Sequence, residues 1–248
     1  MTALWARQLA TKNATAVDVA WTANLGLLAA LYAVLGDGWG PRRLALALVV
    51  GAWSLRLSVH LFRHRVLAER EEDGRYRALR AKWGDAAPRN FLFFYWAQGA
   101  LDVLLSVPFV LAAQHATSGF HPLELAGGAL FAAALFGESL ADRQLAAFRA
   151  NPANRGRTCR VGLWRFSRHP NYFFEWLQWC AFALCAAASP WGWLGVFAPL
   201  LMLFLILKVT GIPPTEEQAL RSRGEDYRRY QRTTSAFVPW FPRSEASA

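Results

Sequence analysis

The sequence has few charged residues and few cysteines, and each shortage excludes a class of protein. Charged residues make up only 18% of the chain, whereas soluble domains are nearer a quarter charged. There are three cysteines, and no CxxC pair occurs. Cys159 lies in a segment between apolar blocks, and Cys180 and Cys185 lie five residues apart, on different faces of one helix. This argues against a disulfide framework and a metal site.

Several sequence signals of other protein classes are missing as well. Residues 1–14 have no apolar core of the kind that a secretory signal peptide requires. No G-x-G-x-x-G follows a strand pattern, which excludes a Rossmann cofactor domain. No internal repeat relates the two halves, as the halves of many transporters are related. We therefore expect a single domain over residues 1–248.

The apolar residues, by contrast, are abundant and gathered into long blocks. They make up 54% of the chain, yet the mean hydropathy is only +0.16. A bilayer-spanning helix needs roughly 20 mostly apolar residues. Six blocks approach that length: Thr15–Leu35, Leu44–Phe62, Phe91–Gln114, Leu123–Leu140, Tyr172–Ser189 and Trp191–Val209. The sequence thus predicts an all-α transmembrane bundle of six spans, or seven if residues 1–14 add a short element.

The basic residues are concentrated between these blocks. Of 27 Lys and Arg, 22 fall in Arg63–Arg89, Arg143–Arg168 and Lys208–Arg243. Counting spans places all three segments on one side of the membrane, which the positive-inside rule identifies as the cytoplasm. This distribution explains the net charge of +10 without nucleic acid as a partner.

Six ionisable residues lie within or at the edge of the apolar blocks: Asp18, Arg56, His60, Asp102, Glu138 and Glu175. A charge at the bilayer centre costs roughly 2.5–3.5 kcal/mol on insertion scales, so such residues face a cavity or a partner. Each of these six residues therefore has either a functional role or a structural role as a member of an ion pair, and the sequence alone leaves both alternatives open.

The block GLWRFSRHPNYFFEWLQW, Gly162–Trp179, combines features of an anion site and of a helix start. Arg168 supplies a guanidinium suited to phosphate or carboxylate. Pro170 fits the first turn of a helix, where a missing N–H costs nothing. Asn171 and Glu175 are four residues apart and share one face of that helix. An ordinary interfacial anchor of Arg and Trp is the alternative.

The loop before this block, ADRQLAAFRANPANRGR, adds further charge. Asp142 and Arg149 are seven residues apart and again share a helix face, and Arg157 follows. With the free N–H groups of a helix start, these residues predict a basic cleft that receives a soluble phosphorylated cofactor from the cytoplasm.

Two shorter helices are expected outside the membrane. Tyr76 and its neighbours predict an amphipathic surface helix within Glu69–Gly84. Near the C-terminus, Pro213 and Pro214 are expected to stop the preceding span, so that Thr215 caps a helix reaching to Arg232, with Gly224 as a possible break.

Together, GLWRFSRHPNYFFEW, ADRQLAAFR, EDGRYRALR and the C-terminal GIPPTEE and EDYRRYQRTTSAFVPWFP segments resemble the bacterial branch of the steroid 5α-reductase superfamily. The resemblance covers about Asp18 to Pro242. It implies an NADPH-dependent reductase in the bacterial inner membrane that saturates the C4–C5 double bond of a 3-oxo-Δ4-steroid or a similar enone. It also implies a seven-helix bundle whose cytoplasmic loops cover the cofactor.

The resemblance also assigns residues. Asn171 and Glu175 match positions at the nicotinamide end. His60 falls where steroid-reducing animal members carry a tyrosine that faces the 3-keto group, and Asp18 is the best match for that tyrosine's acidic partner, with Asn24 behind it. The full set implied for the cofactor is Arg75, Tyr76, Glu138, Asp142, Arg149, Arg157, Arg168, His169, Asn171, Tyr172, Glu175 and Tyr227.

These assignments give a mechanism and leave two alternatives. His60, oriented or charged by Asp18, donates to the substrate carbonyl, while Arg149, Arg157 and Arg168 meet the cofactor phosphates. The expected partners are NADPH, a lipid substrate and membrane lipids, and the protein is expected to be a monomer. A second possibility is an S-adenosylmethionine-dependent enzyme, since isoprenylcysteine carboxyl methyltransferases carry a similar RHP and Tyr block. The third is a lipid-binding protein without catalysis.

Overall fold

The computed structural model describes residues 1–67 and 71–244, and within these residues all regular structure is helical. The helices are α1 Thr2–Thr11, α2 Ala16–Leu35, α3 Gly40–Leu61, α4 Gly74–Trp83, α5 Ala87–Leu105, α6 Val107–Gln114, α7 Pro122–Ala150, α8 Pro170–Ala186, α9 Phe197–Phe204, α10 Ile212–Arg223 and α11 Glu225–Thr233. Two π-helical turns, Phe62–Leu67 and Leu205–Val209, continue α3 and α9.

The chain divides into two compact units. The first contains Met1–His121 and Ala186–Gly195, and therefore holds α1 to α6. The second contains Pro122–Cys185 and Val196–Ala248, and therefore holds α7, nearly all of α8, and α9 to α11.

Among the described residues, five helical segments are long and apolar enough to cross a membrane, which indicates an integral membrane protein. They are Ala16–Leu35, Gly40–Leu67, Gly74–Gln114, Pro122–Ala150 and Gly192–Arg223. The expected span at Tyr172–Ser189 corresponds to α8, which has 17 residues. Helix α1 has 10 residues, about half the length that a span requires. The first residues thus form the short element that the sequence allowed, and the number of spans beyond five stays a prediction.

Helices α2 and α3 pack closely because small and hydroxylated residues line their contact. The Ser54 hydroxyl donates to the Thr22 carbonyl over 2.7 Å, and the Thr22 and Ser58 hydroxyls are also 2.7 Å apart. A Cβ on Gly26 would lie 2.4 Å from Ser54 Oγ, so only glycine permits this approach. Side-chain hydroxyls therefore join α2 and α3, whose apolar surfaces alone would not determine how the two helices pair in a membrane.

The expected span Phe91–Gln114 is interrupted. Helix α5 ends at Leu105 and α6 begins at Val107, with Ser106 between them. Pro108 lies in the first turn of α6, where the lack of an N–H is tolerated. The Ser106 hydroxyl donates to the Val103 carbonyl over 2.8 Å, which satisfies one of the acceptors left at the end of α5.

Near the C-terminus, the prediction for the start of the helix is wrong and the prediction for its break is confirmed. Helix α10 begins at Ile212, so Pro213 and Pro214 form its first turn and Thr215 is not the cap. Proline fits there because the first N–H groups of a helix have no intrahelical acceptor. Gly224 adopts a φ of 53° and separates α10 from α11. Such a positive φ is readily available to glycine alone.

The amphipathic helix expected within Glu69–Gly84 corresponds to α4, Gly74–Trp83. Asp73 caps it, since its carboxylate accepts from the Arg75 backbone N–H over 2.9 Å. The first part of the expected helix, residues 69 and 70, lies outside the described residues.

Candidate functional site

Helices α7 and α8 form an antiparallel pair in the second unit. At one end the Cys185 thiol donates to the Glu124 carbonyl over 3.7 Å, and further along the rings of Phe131 and Phe182 are 5.4 Å apart. A Cβ on Gly127 would lie 2.9 Å from the Ala181 carbonyl oxygen. Glycine thus allows these two backbones to approach at the depth where the apolar contacts lie.

Polar groups line the other half of this pair. The Gln178 amide donates to the buried Glu138 carboxylate over 2.6 Å. One turn towards the end of α7, the Asn171 amide is 3.4 Å from the Asp142 carboxylate. Glu175 lies on α8 between Asn171 and Gln178 and is half-buried. We call these five residues the α7–α8 polar seam, and four of them were predicted as cofactor ligands.

The seam ends at the start of α8, which is built as the sequence predicts. The helix begins at Pro170, and Ser167 prepares it: its hydroxyl accepts from the His169 N–H over 3.1 Å and donates to the Phe237 carbonyl over 2.8 Å. Asn171 therefore lies in the first turn, beside the N–H groups that carry the positive end of the helix dipole.

Three other predicted cofactor residues are gathered around a carboxylate that sequence reasoning missed. Glu216 accepts from Arg168 Nε over 2.7 Å and from the Tyr227 hydroxyl over 3.3 Å, and it lies 3.2 Å from His169 Nε2. It also accepts from the Gln231 amide over 2.7 Å. Glu216 stands in the GIPPTEE segment that carried the family resemblance, so the signal was present, but no role was assigned to this residue.

One terminal nitrogen of the Arg168 guanidinium is occupied as well. Its second nitrogen donates to the carbonyls of Gln231 and Thr234 over 2.9 and 2.6 Å. Only 11% of the Arg168 side chain is exposed. Because its guanidinium already binds one carboxylate and two carbonyls, it holds the C-terminal segment in place and has little capacity left for a phosphate.

Burial governs the ionisation of the aromatic groups in this cluster. It lowers the pKa of His169, against the opposing effect of Glu216, because the charged imidazolium loses its hydration. It raises the pKa of Tyr227, and the neighbouring Glu216 carboxylate raises it further. His169 is therefore neutral and Tyr227 protonated at neutral pH, which leaves Arg168 as the cationic partner of Glu216. Tyr172 stacks on His169, with ring centroids 5.4 Å apart.

The two predicted phosphate ligands at the end of α7 and in the loop after it are exposed. Arg149 lies in the last turn of α7, and Arg157 follows in the loop. The same loop is held at Thr158, whose N–H donates to Asp226 over 2.7 Å, and at Arg160, which donates to the other Asp226 oxygen over 2.9 Å. The loop is therefore anchored while its outward arginines remain accessible to solvent.

In the first unit, Asp18 is the centre of a second cluster. It lies in the first turn of α2 and accepts from Arg65 over 2.6 Å, from Arg75 over 2.7 Å and from the Tyr76 hydroxyl through a short hydrogen bond. Asp73 also accepts from Arg75, over 3.0 Å. Although burial by itself raises the pKa of Asp73, its hydrogen bonds with Arg75 and the charge of that residue give a net decrease.

Neighbouring contacts extend this cluster and fix α4 to the start of α2. The Asp73 N–H donates to the Thr15 hydroxyl, and the Ala14 N–H donates to Glu72, both over 2.9 Å. Glu72 also accepts from Arg80 over 2.7 Å. Arg75 and Tyr76, which were predicted to cover the cofactor, therefore also secure α4 to α2.

His60 lies near the end of α3 and is half-buried, with its ring 4.6 Å from that of His64. The Asp18 carboxylate accepts hydrogen bonds from two guanidinium groups and a phenol, so these partners fix its position. The predicted orientation of His60 by Asp18 stays a prediction.

Two grooves lie on the first unit. One of about 420 Å³ is bounded by Arg7 and Leu4 of α1, the small residues Ala16, Ala20 and Ala23 with Val19 of α2, and Phe62 and Val66. The other, of about 230 Å³, lies between α2 and α5 and contains Asn24 and Asp102. In the part of the chain that the structure describes, no group of three or more His, Cys, Asp or Glu side chains is placed to hold a metal ion.

Comparison with known proteins identifies one family. Residues 4–234 match a family described as "Protein of unknown function (DUF1295)". No curated protein and no solved structure matches the chain.

Proposed function

The chain belongs to the DUF1295 family, and we propose that it is an NADPH-dependent membrane reductase that saturates the C4–C5 double bond of a 3-oxo-Δ4-steroid or a similar enone lipid. The observation that carries this proposal is the α7–α8 polar seam, which puts Asn171 and Glu175 beside the start of a helix. The resemblance of the surrounding motifs to the steroid 5α-reductase superfamily supplies the reaction class.

The chemistry of the seam fits a nicotinamide. A carboxamide has both N–H donors and a carbonyl acceptor. The Asn171 amide can donate to the carbonyl, and the Glu175 carboxylate can accept from the N–H groups. Glu138 and Gln178 support this pair from the buried side, since their hydrogen bond fixes the spacing of the two helices.

Arg149 and Arg157 fit the phosphates of the same cofactor. Both are exposed, Arg149 in the last turn of α7 and Arg157 in the loop after it, and a guanidinium binds phosphate through two parallel N–H groups. We assign Arg168, His169 and Tyr227 a different part from the one first expected of them. Bound to Glu216, they hold the start of α8 against the C-terminal segment and so position Asn171.

The reaction needs a donor at the substrate carbonyl. NADPH, when bound, supplies hydride to the β carbon of the enone. We propose that His60 donates a hydrogen bond to the carbonyl oxygen, where negative charge develops, and that Asp18 positions this part of α3 through Arg65. A preorganised donor at such an oxygen is worth roughly 3–4 kcal/mol of transition-state stabilisation.

The proposal includes the setting of the protein. The protein lies in the inner membrane of a bacterium. The basic segment that contains Arg149 and Arg157 is on the cytoplasmic side, in accordance with the positive-inside rule. The cofactor is then available from the cytosol and the lipid substrate from the bilayer. We propose that the protein works as a monomer.

Titration of the purified protein in nanodiscs with NADPH, NADH and S-adenosylmethionine tests the cofactor. We expect NADPH to bind most tightly, and Arg157→Ala and Arg149→Ala to weaken NADPH about tenfold, since each removes a charged hydrogen bond worth roughly 1.5–3 kcal/mol. The matched control is Arg228→Ala, because Arg228 is an exposed arginine of the same unit that pairs only loosely with Glu225, at 3.6 Å. Binding of S-adenosylmethionine alone identifies a methyltransferase, and binding of no cofactor identifies a lipid-binding protein.

A panel of enone lipids tests the reaction, with loss of NADPH absorbance as the readout. We expect His60→Ala to lower kcat about a hundredfold, as loss of an oxyanion donor does in other enzymes, and to leave NADPH binding unchanged. The control is His121→Ala, an exposed histidine of the same unit. Wild-type turnover in both His60→Ala and Asp18→Ala would remove these residues from the mechanism.

A further inference from the structure

Asp102 is a buried carboxylate that the proposed reductase does not use. The residue is only 1% exposed and lies in the last turn of the apolar helix α5. One carboxylate oxygen, Oδ2, accepts from the Asn24 amide over 2.9 Å. The other, Oδ1, is buried and has no hydrogen-bond partner among the described residues. A buried acceptor left without a donor costs roughly 1–3 kcal/mol, so this oxygen calls for a ligand.

Asp102 lines a groove between two helices. Helix α2 contributes Asn24, Leu27, Leu28 and Leu31, and α5 contributes Gly99, Asp102 and Val103. Each set recurs every three or four residues and therefore forms one face of its helix. Gly99, one turn before Asp102, contributes no side chain to the groove.

The rim of this groove is apolar and faces outward. Leu27 is 67% exposed, Leu31 48% and Val103 55%. These residues belong to two segments that are each long and apolar enough to cross a membrane. Exposed leucine and valine at that depth are in contact with lipid. The groove is therefore open to the hydrocarbon region and is entered from the bilayer.

The volume and the polar groups define what fits. At about 230 Å³, the groove is smaller than the roughly 300–1,000 Å³ of pockets that enclose a whole ligand. It accommodates the polar end of a lipid together with the first part of its chain. One turn further along, the hydroxyls of Tyr32 and Ser106, 3.0 Å apart, satisfy each other, so Asp102 and Asn24 are the polar groups that face the ligand.

We infer that this groove binds the hydroxyl end of a neutral lipid alcohol, whose O–H donates to Asp102 Oδ1 while its chain lies over Leu28, Leu31 and Val103. A hydroxyl supplies the single donor that the oxygen requires and costs little to bring from the bilayer interface. Lipids with a carboxylate or phosphate are rejected, because burying their negative charge in the groove beside Asp102 is strongly unfavourable. The site is independent of the cofactor and of the proposed reaction.

Competition binding tests this inference directly. The protein in detergent micelles is incubated with an equimolar mixture of hexadecanol, hexadecyl methyl ether, hexadecylamine and palmitate, and bound species are identified by native mass spectrometry without NADPH. We expect the hexadecanol complex to dominate. Equal retention of the ether, or preferential retention of the amine or palmitate, would overturn the assignment, since these compounds share the chain and differ only in the polar end.

Variants connect the preference to the groove. Asp102→Asn is expected to reduce hexadecanol binding about tenfold, because the ligand hydroxyl loses its hydrogen bond to the Asp102 carboxyl group. The matched control Asp37→Asn changes an exposed carboxylate of the same unit and should have no effect. Val103→Trp fills the groove from its exposed rim, leaves Asp102 and Asn24 unchanged, and should abolish binding even if Asp102→Asn does not fold. Undiminished binding to Val103→Trp would overturn the inference.

Discussion

Arg168 and Glu216 form a buried ion pair in the second unit, with Nε and Oε1 2.7 Å apart and side chains that are 11% and 14% exposed. The two residues are separated by 48 positions in the sequence, so the pair connects the loop before α8 to helix α10. The contact gives Arg168 a structural role, because its guanidinium takes part in a buried ion pair that holds the loop before α8.

The first prediction concerns the stability that this pair confers. Arg168→Gln and Glu216→Gln should each lower the free energy of unfolding by roughly 3–5 kcal/mol, because removal of one partner leaves the other charge buried and uncompensated. Thermal unfolding of the purified protein in detergent measures the loss as a decrease in Tm.

Helix α10 offers a matched control for this experiment. Arg221 and Glu217 form an exposed pair on the same helix, with side chains 67% and 64% exposed. Exposed pairs contribute about 0–1 kcal/mol, so Arg221→Gln and Glu217→Gln should leave Tm nearly unchanged. Equal effects at the two pairs would mean that the Arg168–Glu216 contact is not structural.

A second prediction concerns the attachment of α4 to α2 at Asp18. Asp18→Asn removes the charge that Arg65 and Arg75 share, so α4 should exchange its backbone amides faster and the protein should lose roughly 1–3 kcal/mol of stability. Tyr76→Phe removes one neutral donor and should have a smaller effect of about 0.5–1.5 kcal/mol. Hydrogen exchange followed by mass spectrometry over Gly74–Trp83 measures the change.

The neutral control for Asp18 is Asp85→Asn, since Asp85 is an exposed carboxylate just beyond α4. Its substitution should not alter exchange in α4. If Asp18→Asn leaves that exchange as slow as in the wild-type protein, the contacts to Arg65, Arg75 and Tyr76 do not restrain the helix.

A third prediction compares two adjacent glycines of α7. A Cβ at Gly127 would lie 2.5 Å from Cys185 Sγ and 2.9 Å from the Ala181 carbonyl oxygen, so Gly127→Ala should destabilise the protein by roughly 1–3 kcal/mol through overpacking. At Gly128 a Cβ would meet nothing within 4 Å. Gly128→Ala should therefore stabilise α7 by about 0.5–1 kcal/mol, from helix propensity. Shifts in Tm of the same sign for both variants would contradict the close approach of α7 and α8.

A fourth prediction concerns pH and the anchoring of the loop after α7. Burial acts to raise the pKa of Asp226, but its hydrogen bonds with Thr158 and the charge of Arg160 lower it below the ordinary value of 3.8. A carboxylate with a depressed folded-state pKa stabilises the folded state at pH values above the unfolded-state pKa. That contribution is lost as the pH falls through the lower pKa of the folded state.

The measurement is the difference in Tm between the wild-type protein and Asp226→Asn as a function of pH. We expect a constant difference, with the wild type more stable, from neutral pH down to about 4, and a shrinking difference below it. Glu217→Asn serves as the control for removal of an exposed acid in the same unit. A difference that grows on acidification would contradict the assignment.

Much of the helical framework follows from the sequence because it depends on local properties. Apolar blocks of sufficient length predicted the positions of α2, α3 and α7, and Pro170 marked the start of α8. Gly224 marked the break between α10 and α11 through its backbone freedom. The start of α10 was placed too late because Pro213 and Pro214 fit a first turn as well as a helix stop.

The α7–α8 polar seam was partly predictable for the same reason. Four-residue and seven-residue spacings put Asn171 with Glu175, and Asp142 with Arg149, on shared faces. Spacing along one helix does not say which face meets which neighbour, so the bond from Gln178 to Glu138 was not predicted.

The sequence by itself thus determined that this is a helical membrane protein, roughly where its long apolar helices lie and which polar residues share a helix face. Only the tertiary structure decided which charges are paired. Asp18 binds Arg65 and Arg75, which follow it by 47 and 57 positions, and Arg168 binds Glu216 rather than standing free for a phosphate. The physical reason is that helix formation and membrane insertion depend on neighbouring residues and composition, whereas the partner of a buried charge is set by packing between distant segments.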